Sequence, residues 1–277
     1  MTRKNEIRCI ALDLDGTTLN SKGQLSERNR KAIERALEHH IQVIIASGRP
    51  LASLPEEVAR IPGIRYAVTS NGAAVCDLDS GKTLKEYQLT GKSVEEILAL
   101  TSGMDVAYEV LKGGIPYAES SYVEDPVRYG ASAMAVPYIQ RTRRPVEDIQ
   151  GFIRAHRDEL DCMDVVIRDG KEELWKRIES EVADVYVTSS VPQLLEISYK
   201  EAGKAAAVGF LLDRLDLGWQ NLAAFGDGDN DRELLKAAGI GIAVANAVPG
   251  CRKDADKVTC SNDEDGVGIE LERMLFI

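Results

Sequence analysis

The sequence predicts an α/β fold: a doubly wound, mainly parallel sheet of Rossmann type that is interrupted by a second domain of α+β class. At both ends of the 277-residue chain, short apolar runs alternate with stretches of helical period, as in strand–helix–strand units. Two of the apolar runs end in acidic turns that contain glycine, and the alternation stops in the middle of the chain. We therefore place a discontinuous core at residues 1–80 and 191–277, and the α+β domain at residues 81–190.

The first part of the chain predicts three strands joined by helices. Ser26 is suited to cap the first helix, because its hydroxyl can accept a hydrogen bond from a free backbone N–H group. Pro50 is suited to the first turn of the second helix. The predicted strands are residues 7–12, 41–46 and 66–69, the helices are 27–39 and 51–61, and a hairpin spans 73–89. Strand–helix–strand units of this length predict parallel strands with right-handed connections.

The middle of the chain mixes helices and strands without this order. Helices are predicted at residues 94–100, 146–157 and 171–179, and strands at 106–111, 163–167 and 185–188. The alternation resumes with a strand at 194–197, which we assign to the core. The predicted core is completed by helices at 203–215, 232–238 and 267–275 and by strands at 222–225, 240–244 and 258–260.

Composition and charge argue against several classes of protein and of binding partner. No apolar run approaches the ~18 residues of a membrane helix, and residues 1–6 contain no apolar signal core. The net charge of −11 makes a nucleic-acid backbone an unsuitable partner. Five irregularly spaced cysteines argue against a disulfide framework or a zinc site and favour a reducing cytoplasm: Cys9, Cys76, Cys162, Cys251 and Cys260.

Two aspartates at the end of the first predicted strand are the most informative residues. Asp13 and Asp15 lie two positions apart, where the strand gives way to Gly16. The strand pleat would direct both side chains the same way, and like charges that close need a cation or a shared proton. The alternative is two solvated aspartates in an Asx-turn before Gly16. We expect a site that uses both carboxylates.

A second acidic turn, residues 226–231, follows the strand at 222–225. Ligands of open parallel sheets gather at the carboxyl ends of strands, so the two acidic turns can share one site. Hard oxygen ligands favour Mg²⁺ over a softer metal. An EF-hand-like calcium loop is the alternative, but the spacing and the distal glutamate of that motif are missing. The sequence therefore predicts a magnesium site.

With these motifs the sequence resembles the haloacid dehalogenase superfamily, and within it the Cof-like phosphatases. Four motifs match in order: residues 13–17, the segment Ala46-Ser47-Gly48-Arg49, Lys204 after a strand at 195–198, and residues 226–231. Each motif alone is a weak signal, whereas the ordered set is highly specific. The resemblance implies that residues 81–190 are a class-two cap, which supplies specificity and closes over the active site.

The resemblance also implies a Mg²⁺-dependent phosphatase that acts through an aspartyl-phosphate. Asp13 would be the nucleophile and a Mg²⁺ ligand, and Asp15 the general acid and base, with its backbone carbonyl on the metal. Lys204 would pair with Asp13 and the phosphate. Asp227 would be a further Mg²⁺ ligand, and Asp231 would act through water or position Lys204.

Other residues are expected near the phosphate. Ser47 would hold a phosphate oxygen through its hydroxyl, although a serine in a turn commonly bonds only its own backbone. The remaining candidates are Gly16, Gly48, Arg49, Asn71 and Asn230, together with Asn246 and Asn262, which would lie at the phosphate or at the cap. An asparagine at a strand end can equally serve only to form a turn.

The predicted substrate is a small cytosolic phosphate ester such as a sugar phosphate, and three alternatives stay open. A phosphomannomutase-like phosphotransferase has the same aspartate at position 15 and the same class of cap. A phosphatase specialised for sucrose phosphate or trehalose phosphate has the same motifs. A non-catalytic metal- or phosphate-binding protein can share the fold. The sequence predicts neither the individual ester nor the oligomeric state.

Overall fold

The computed structural model describes residues 6–275, so residues 1–5, which belong to the segment where we expect no apolar signal core, lie outside the described part. The chain forms two compact units. The core unit comprises the chain up to residue 49, residues 54–85 and the chain from residue 204. The insert unit comprises residues 50–53 and 86–203. Among the described residues, no helix is both long and apolar enough to cross a membrane.

The core unit is built on an eight-stranded sheet. Its strands are β1 (Cys9–Leu12), β2 (Gln42–Ala46), β3 (Tyr66–Thr69), β4 (Ala74–Asp77), β5 (Lys82–Glu86), β12 (Leu222–Gly226), β13 (Ile240–Ala243) and β14 (Lys257–Val258). Their order is β14-β13-β12-β1-β2-β3-β4-β5. The strands from β14 to β3 pair in parallel, and β4 runs antiparallel to β3.

Helices cover both faces of this sheet, which confirms the predicted doubly wound α/β fold. They are α1 (Glu27–Glu38), α2 (Glu56–Ala59), α8 (Lys204–Arg214), α9 (Arg232–Ala237), α10 (Pro249–Asp254) and α11 (Gly266–Leu275). Successive residues of β1 point to opposite faces. Leu12 therefore belongs to one buried apolar cluster with Ile33 of α1, whereas Ala11 belongs to another with Val208 of α8. Ser26 caps α1 as predicted, its Oγ accepting from the Asn29 N–H at 3.1 Å.

The insert unit contains a six-stranded sheet in the order β10-β11-β9-β6-β7-β8. Its strands are β6 (Val106–Lys112), β7 (Ile115–Glu119), β8 (Arg144–Val146), β9 (Cys162–Ile167), β10 (Val185–Thr188) and β11 (Leu194–Tyr199). Its helices are α3 (Gly91–Leu100), α4 (Ser120–Glu124), α5 (Val136–Thr142), α6 (Ile149–Ala155) and α7 (Lys171–Glu181). The helices α3, α6 and α7 pack on one face of the sheet through a single apolar cluster.

The division between the units differs from the predicted boundaries. We assigned the strand at 194–197 to the core, but β11 pairs antiparallel with both β9 and β10 of the insert sheet. Residues 191–203 therefore belong to the insert unit. Conversely, β5 forms the edge of the core sheet, and residues 81–85 belong to the core unit. A short strand such as β11, which mixes apolar and polar residues, fits either sheet, so its sequence does not specify its partner.

The helix predicted at residues 51–61 is interrupted. A helical turn at Leu51–Ser53 ends before Pro55, and α2 begins at Glu56. Proline has no N–H group to donate, and it disfavours helical geometry at the preceding residue, which is Leu54. Five further elements, all short, were not predicted: β7, β8, α4, α5 and α10.

Candidate active site

Two neighbouring strands bring the acidic turns together. β1 and β12 pair in parallel with Leu12 opposite Phe225. Asp13 and Asp227 follow the ends of these strands at the same edge of the sheet, and the Asp13 N–H donates to the Phe225 carbonyl at 3.1 Å. The parallel pairing thus places residues from opposite ends of the chain in one site, as the sequence predicted.

Lys204 lies between two of the aspartates. Its Nζ donates to Asp13 Oδ1 and to Asp231 Oδ1, both at 2.7 Å. The side chains of Lys204 and Asp231 are fully buried, and that of Asp13 is nearly so. A lysine is rarely buried without partners, and the first residue of α8 is here enclosed because two carboxylates bind its ammonium group. Lys204, the third sequence motif, therefore binds a residue of the first motif, Asp13, and a residue of the fourth, Asp231.

Backbone and hydroxyl donors orient the acidic turn. Asp231 Oδ2 accepts from the N–H groups of Asp227 and Gly228 at 2.9 and 3.0 Å. The Thr17 hydroxyl donates to Asp227 Oδ1 at 3.0 Å. These bonds fix both carboxylates, so Asp227 and Asp231 face Asp13 in a defined arrangement.

The site contains more negative than positive charge. Burial raises the pKa of Asp13 well above its usual value, although Lys204 opposes the shift. Burial and the neighbouring Asp231 raise the pKa of Asp227 to about 6. Burial opposes the charge of Lys204, but Asp13 and Asp231 outweigh it and raise the pKa of the ammonium group. Three carboxylates thus face one ammonium group, and a bound cation would relieve their repulsion.

The donor set fits a hard divalent cation. One oxygen from each of Asp13, Asp227 and Asp231 lies within 4.8 Å of the others. Asp13 Oδ2 is buried and accepts no hydrogen bond from the protein. A buried carboxylate oxygen without a donor needs another partner, and Mg²⁺ prefers carboxylate oxygens.

Asp15 is directed away from this cluster. Both of its carboxylate oxygens accept from Arg49, Oδ2 from Nε and Oδ1 from Nη2, at 2.6 Å each. Its side chain is 55% exposed. The expectation that Asp13 and Asp15 point the same way was wrong, because Asp15 lies beyond the strand in the turn Leu14–Thr18, where the alternation of a pleat no longer applies. The expected contact of its backbone carbonyl with a metal stays a prediction.

The remaining predicted residues form a second group. Ser47 is buried after β2, and its Oγ accepts from the Arg49 N–H at 3.1 Å. Asn71, whose φ is 53°, donates its N–H to the Ser47 carbonyl at 3.2 Å and accepts a bond from Asn230 Nδ2 at 2.9 Å. A Cβ on Gly48 would lie 3.0 Å from Asn71 Oδ1. The structure thus joins the second motif to the fourth through an asparagine pair.

Asn246 and Asn262 brace the turn beside Asp13. Asn246 Nδ2 donates to the Gly16 carbonyl at 2.7 Å, and its Oδ1 accepts from the Asn262 N–H at 3.0 Å. Asn262 Nδ2 donates to the Leu19 carbonyl at 2.9 Å. This bracing role was not predicted, and neither was the hydrogen bond that Thr18 Oγ1 donates to the Asp13 carbonyl at 2.5 Å. The only signal in the sequence was that Asn246 and Asn262 follow the ends of predicted strands.

Gly16→Ala is expected to weaken divalent cation binding about tenfold or more. Gly16 has φ of 77°, and an added Cβ would lie 2.4 Å from Asp227 Oδ2, so this carboxylate must move. The measurement is the Mg²⁺ concentration that gives half-maximal activity. Gly23→Ala is the matched control, since Gly23 has φ of 72° with no atom within 4 Å of the added Cβ. Equal effects of the two substitutions would show that backbone strain alone is responsible.

Comparison with known proteins agrees with this geometry. A family model described as haloacid dehalogenase-like hydrolase matches residues 10–271. Phosphatase YwpJ of Bacillus subtilis is 28% identical over 288 residues, covering 97% of this chain and 100% of that protein. The 5-amino-6-(5-phospho-D-ribitylamino)uracil phosphatase YcsE of the same organism is 28% identical over 262 residues, covering 95% of this chain and 93% of that protein.

Solved structures are similar over the same length. A haloacid dehalogenase-like hydrolase from Bacteroides thetaiotaomicron superposes with a TM-score of 0.78 at 28% identity, covering 97% of this chain and 100% of that one. A haloacid dehalogenase-like hydrolase from B. subtilis superposes with a TM-score of 0.80 at 27% identity, covering 96% and 99%.

Proposed function

The chain belongs to the haloacid dehalogenase-like hydrolase family, and on this premise we propose that it is a Mg²⁺-dependent phosphomonoester hydrolase that acts through an aspartyl-phosphate. Its relatives include proteins named phosphatases. We further propose a small phosphate ester, such as a sugar phosphate, as substrate and the cytoplasm as location, the latter because the irregular cysteines suit a reducing compartment.

One observation supports the proposal most strongly. Asp13 is buried with one oxygen on Lys204 and the other without a protein donor, inside a group of three carboxylates. A purely structural pairing of Lys204 with Asp13 and Asp231 does not need a third acid, Asp227, whose charge beside the other two is unfavourable without compensation. This arrangement suits a carboxylate that attacks a phosphorus atom beside a cation.

In the proposed reaction, one Asp13 oxygen attacks phosphorus and the bond from phosphorus to the ester oxygen breaks. A bound Mg²⁺ would neutralise the charge shared by the carboxylates and the phosphate. Lys204, already on Asp13 Oδ1, would hold a phosphate oxygen and the nucleophile in line. Ser47 is proposed to donate its hydroxyl to another phosphate oxygen. These contacts provide the positioning on which phosphoryl transfer depends.

Asp15 is the proposed proton donor and acceptor. It would give a proton to the departing alkoxide and later take one from the water that attacks the aspartyl-phosphate, which releases inorganic phosphate and restores Asp13. Such transfer typically contributes ~10²–10⁴-fold. Because both Asp15 oxygens are bonded to Arg49 in the structure, the side chain must first leave this guanidinium group.

Phosphate release with and without metal tests the proposal. The purified protein is incubated with sugar phosphates, nucleotides, pyridoxal phosphate and 5-amino-6-(5-phospho-D-ribitylamino)uracil, in Mg²⁺ and in EDTA. We expect release from one or more esters in Mg²⁺, loss of at least ~10²-fold in EDTA by removal of an electrostatic catalyst, and recovery when Mg²⁺ is restored.

The same panel separates the alternatives. A single dominant ester would identify a specialised phosphatase. Turnover that requires a bisphosphate activator would identify a phosphotransferase of the phosphomannomutase kind. Folded protein that binds Mg²⁺ and releases phosphate from none of the esters would contradict the proposed hydrolase and favour a binding protein.

A further inference from the structure

A buried hydroxyl closes the turn that follows β1. Thr18 Oγ1 donates to the Asp13 carbonyl at 2.5 Å, and the Leu19 N–H donates to the Leu14 carbonyl at 2.9 Å. Thr18 is fully buried, so no water competes for its hydroxyl. This hydrogen bond therefore ties the end of the turn to its beginning, which is the residue at the centre of the acidic cluster.

The closed turn carries two further residues that contact the acidic cluster. Gly16 lies directly against the Asp227 carboxylate, and the Thr17 hydroxyl donates to Asp227 Oδ1 at 3.0 Å. These residues and Asp13 belong to one short segment. A shift at the base of the turn would therefore move Asp13 and Asp227 relative to each other.

Buried hydrogen bonds continue from Thr18 to two helices of the core unit. Asn29 of α1 donates from Nδ2 to the Thr18 carbonyl at 2.9 Å, and its Oδ1 accepts from the Gly268 N–H of α11 at 2.7 Å. Asn29 is 1% exposed. Because both ends of its amide group are bonded, the orientation of this side chain is fixed. A continuous row of hydrogen bonds thus runs from α11 through Asn29 and Thr18 to Asp13.

The close approach of α11 to α1 depends on Gly268. An added Cβ at this position would lie 2.7 Å from Asn29 Oδ1 and 3.3 Å from the backbone carbonyl carbon of Arg28. Gly268 lies within α11, where alanine is the better helix former. The glycine therefore serves the contact between the helices, and a larger residue would have to displace Asn29.

We propose that Thr18 and Asn29 are positioning residues for Asp13, which they hold in place by tying the base of the turn to α1 and α11. This inference rests on the proposed function and deepens it. Phosphoryl transfer depends on positioning, and a displacement of about 1 Å can cost ~10²-fold in rate. A hydroxyl that served the fold alone would affect stability and leave the rate of the folded protein unchanged.

Thr18→Val removes the hydroxyl and keeps the shape of the side chain. We expect kcat to fall about tenfold or more, on the ester that the wild-type protein hydrolyses best. KM should change by less than about threefold, because the buried Thr18 side chain binds no substrate. Thr18→Ser restores the hydroxyl, and its kcat should stay within about threefold of the wild-type value.

Thr101→Val is the matched control for the loss of a buried hydroxyl. Thr101 is 1% exposed, and its Oγ1 donates to the Ile97 carbonyl of α3 at 2.7 Å in the insert unit. Loss of a buried hydrogen bond is expected to destabilise both valine variants. Only Thr18→Val should lower kcat, which separates positioning from stability.

Asn29→Ala and Gly268→Ala test the rest of the row. Both should lower kcat, although Gly268→Ala improves the helix propensity of α11. Residues of one hydrogen-bonded row are not independent. We therefore expect the combined variant of Thr18→Val and Asn29→Ala to lose less activity than the product of the two separate losses.

Amide hydrogen exchange in EDTA tests the same row without an ester or a metal. Exchange in residues 13–19 should be about tenfold faster or more in Thr18→Val and Asn29→Ala, as expected for local opening. Exchange in β13, which lies outside the row, should be unchanged. Thr18→Ser should exchange like the wild type.

Four results would overturn the inference: a kcat in folded Thr18→Val within about threefold of the wild type, an equal loss in Thr101→Val, no recovery in Thr18→Ser, or unchanged exchange of residues 13–19 in Thr18→Val. If the wild-type protein hydrolyses no ester, the proposed function fails. Hydrogen exchange still shows in that case whether Thr18 and Asn29 hold the turn, so the two failures are distinguishable.

Discussion

Asp13→Asn is expected to lower kcat by more than ~10³-fold, the order of loss seen when a covalent nucleophile is removed. Asparagine keeps the shape of the side chain and can still accept the 2.7 Å bond from Lys204 Nζ. It removes the negative oxygen that would attack phosphorus and bind the cation. The measurement is single-turnover phosphate release at saturating Mg²⁺, on the ester that the wild-type protein hydrolyses best.

The folded state should tolerate this change. The pKa of Asp13 is raised in the folded protein, so its ionisation costs stability as the pH rises above the pKa of the unfolded chain. Asparagine removes this cost. In EDTA at neutral pH, the free energy of unfolding should therefore be unchanged or increased. Activity within tenfold of the wild type, in a folded variant, would refute Asp13 as the nucleophile.

Lys204→Met is expected to destabilise the protein and to abolish activity. The substitution leaves Asp13 and Asp231 buried without their shared ammonium group, and breaking a buried ion pair costs roughly 3–5 kcal/mol. A bound Mg²⁺ would replace part of the lost positive charge. We therefore expect a larger loss of unfolding free energy in EDTA than in Mg²⁺, together with a fall in kcat of at least ~10²-fold.

Urea unfolding in the two buffers measures this difference. Lys236→Met is the matched control, because Lys236 is 54% exposed and its partner Asp254 keeps a second ion pair with Arg232. An exposed ion pair of this kind contributes about 0–1 kcal/mol. Similar destabilisation by both substitutions would show that Lys204 does not hold the two acids together. A loss for Lys204→Met that is the same with and without Mg²⁺ would argue against a cation at Asp13.

The core and its acidic cluster could be predicted because each depends on local sequence. Apolar runs ending in acidic turns fix where β1 and β12 stop, and parallel pairing then brings Asp13 and Asp227 to one edge. The family motifs added Lys204, which no local pattern distinguishes from a surface lysine. Its burial results from a contact between residues 191 positions apart, and such contacts have no signature in the surrounding sequence.

Other features could not be predicted, because they depend on pairings that the sequence does not specify. The predicted partner of β11 was wrong, because a short strand that mixes apolar and polar residues, Leu-Leu-Glu-Ile-Ser-Tyr, suits either sheet. The predicted direction of the Asp15 side chain was wrong because it depends on the ion pair with Arg49, which follows a different strand. The same holds for three acidic residues that lie side by side on the insert sheet, Glu109, Asp164 and Glu196, because they meet only through strand register.

The ion pair between Asp15 and Arg49 has a consequence for turnover. If Asp15 is the proton donor, only the fraction of molecules in which it has left Arg49 is competent for the chemical step. Each ~1.4 kcal/mol by which the pair is favoured lowers that fraction about tenfold. The observed turnover number is then the product of an intrinsic rate and a population. A substrate that offers Arg49 an alternative anion would increase this population. Binding of the substrate to Arg49 would then release Asp15 before the proton is transferred.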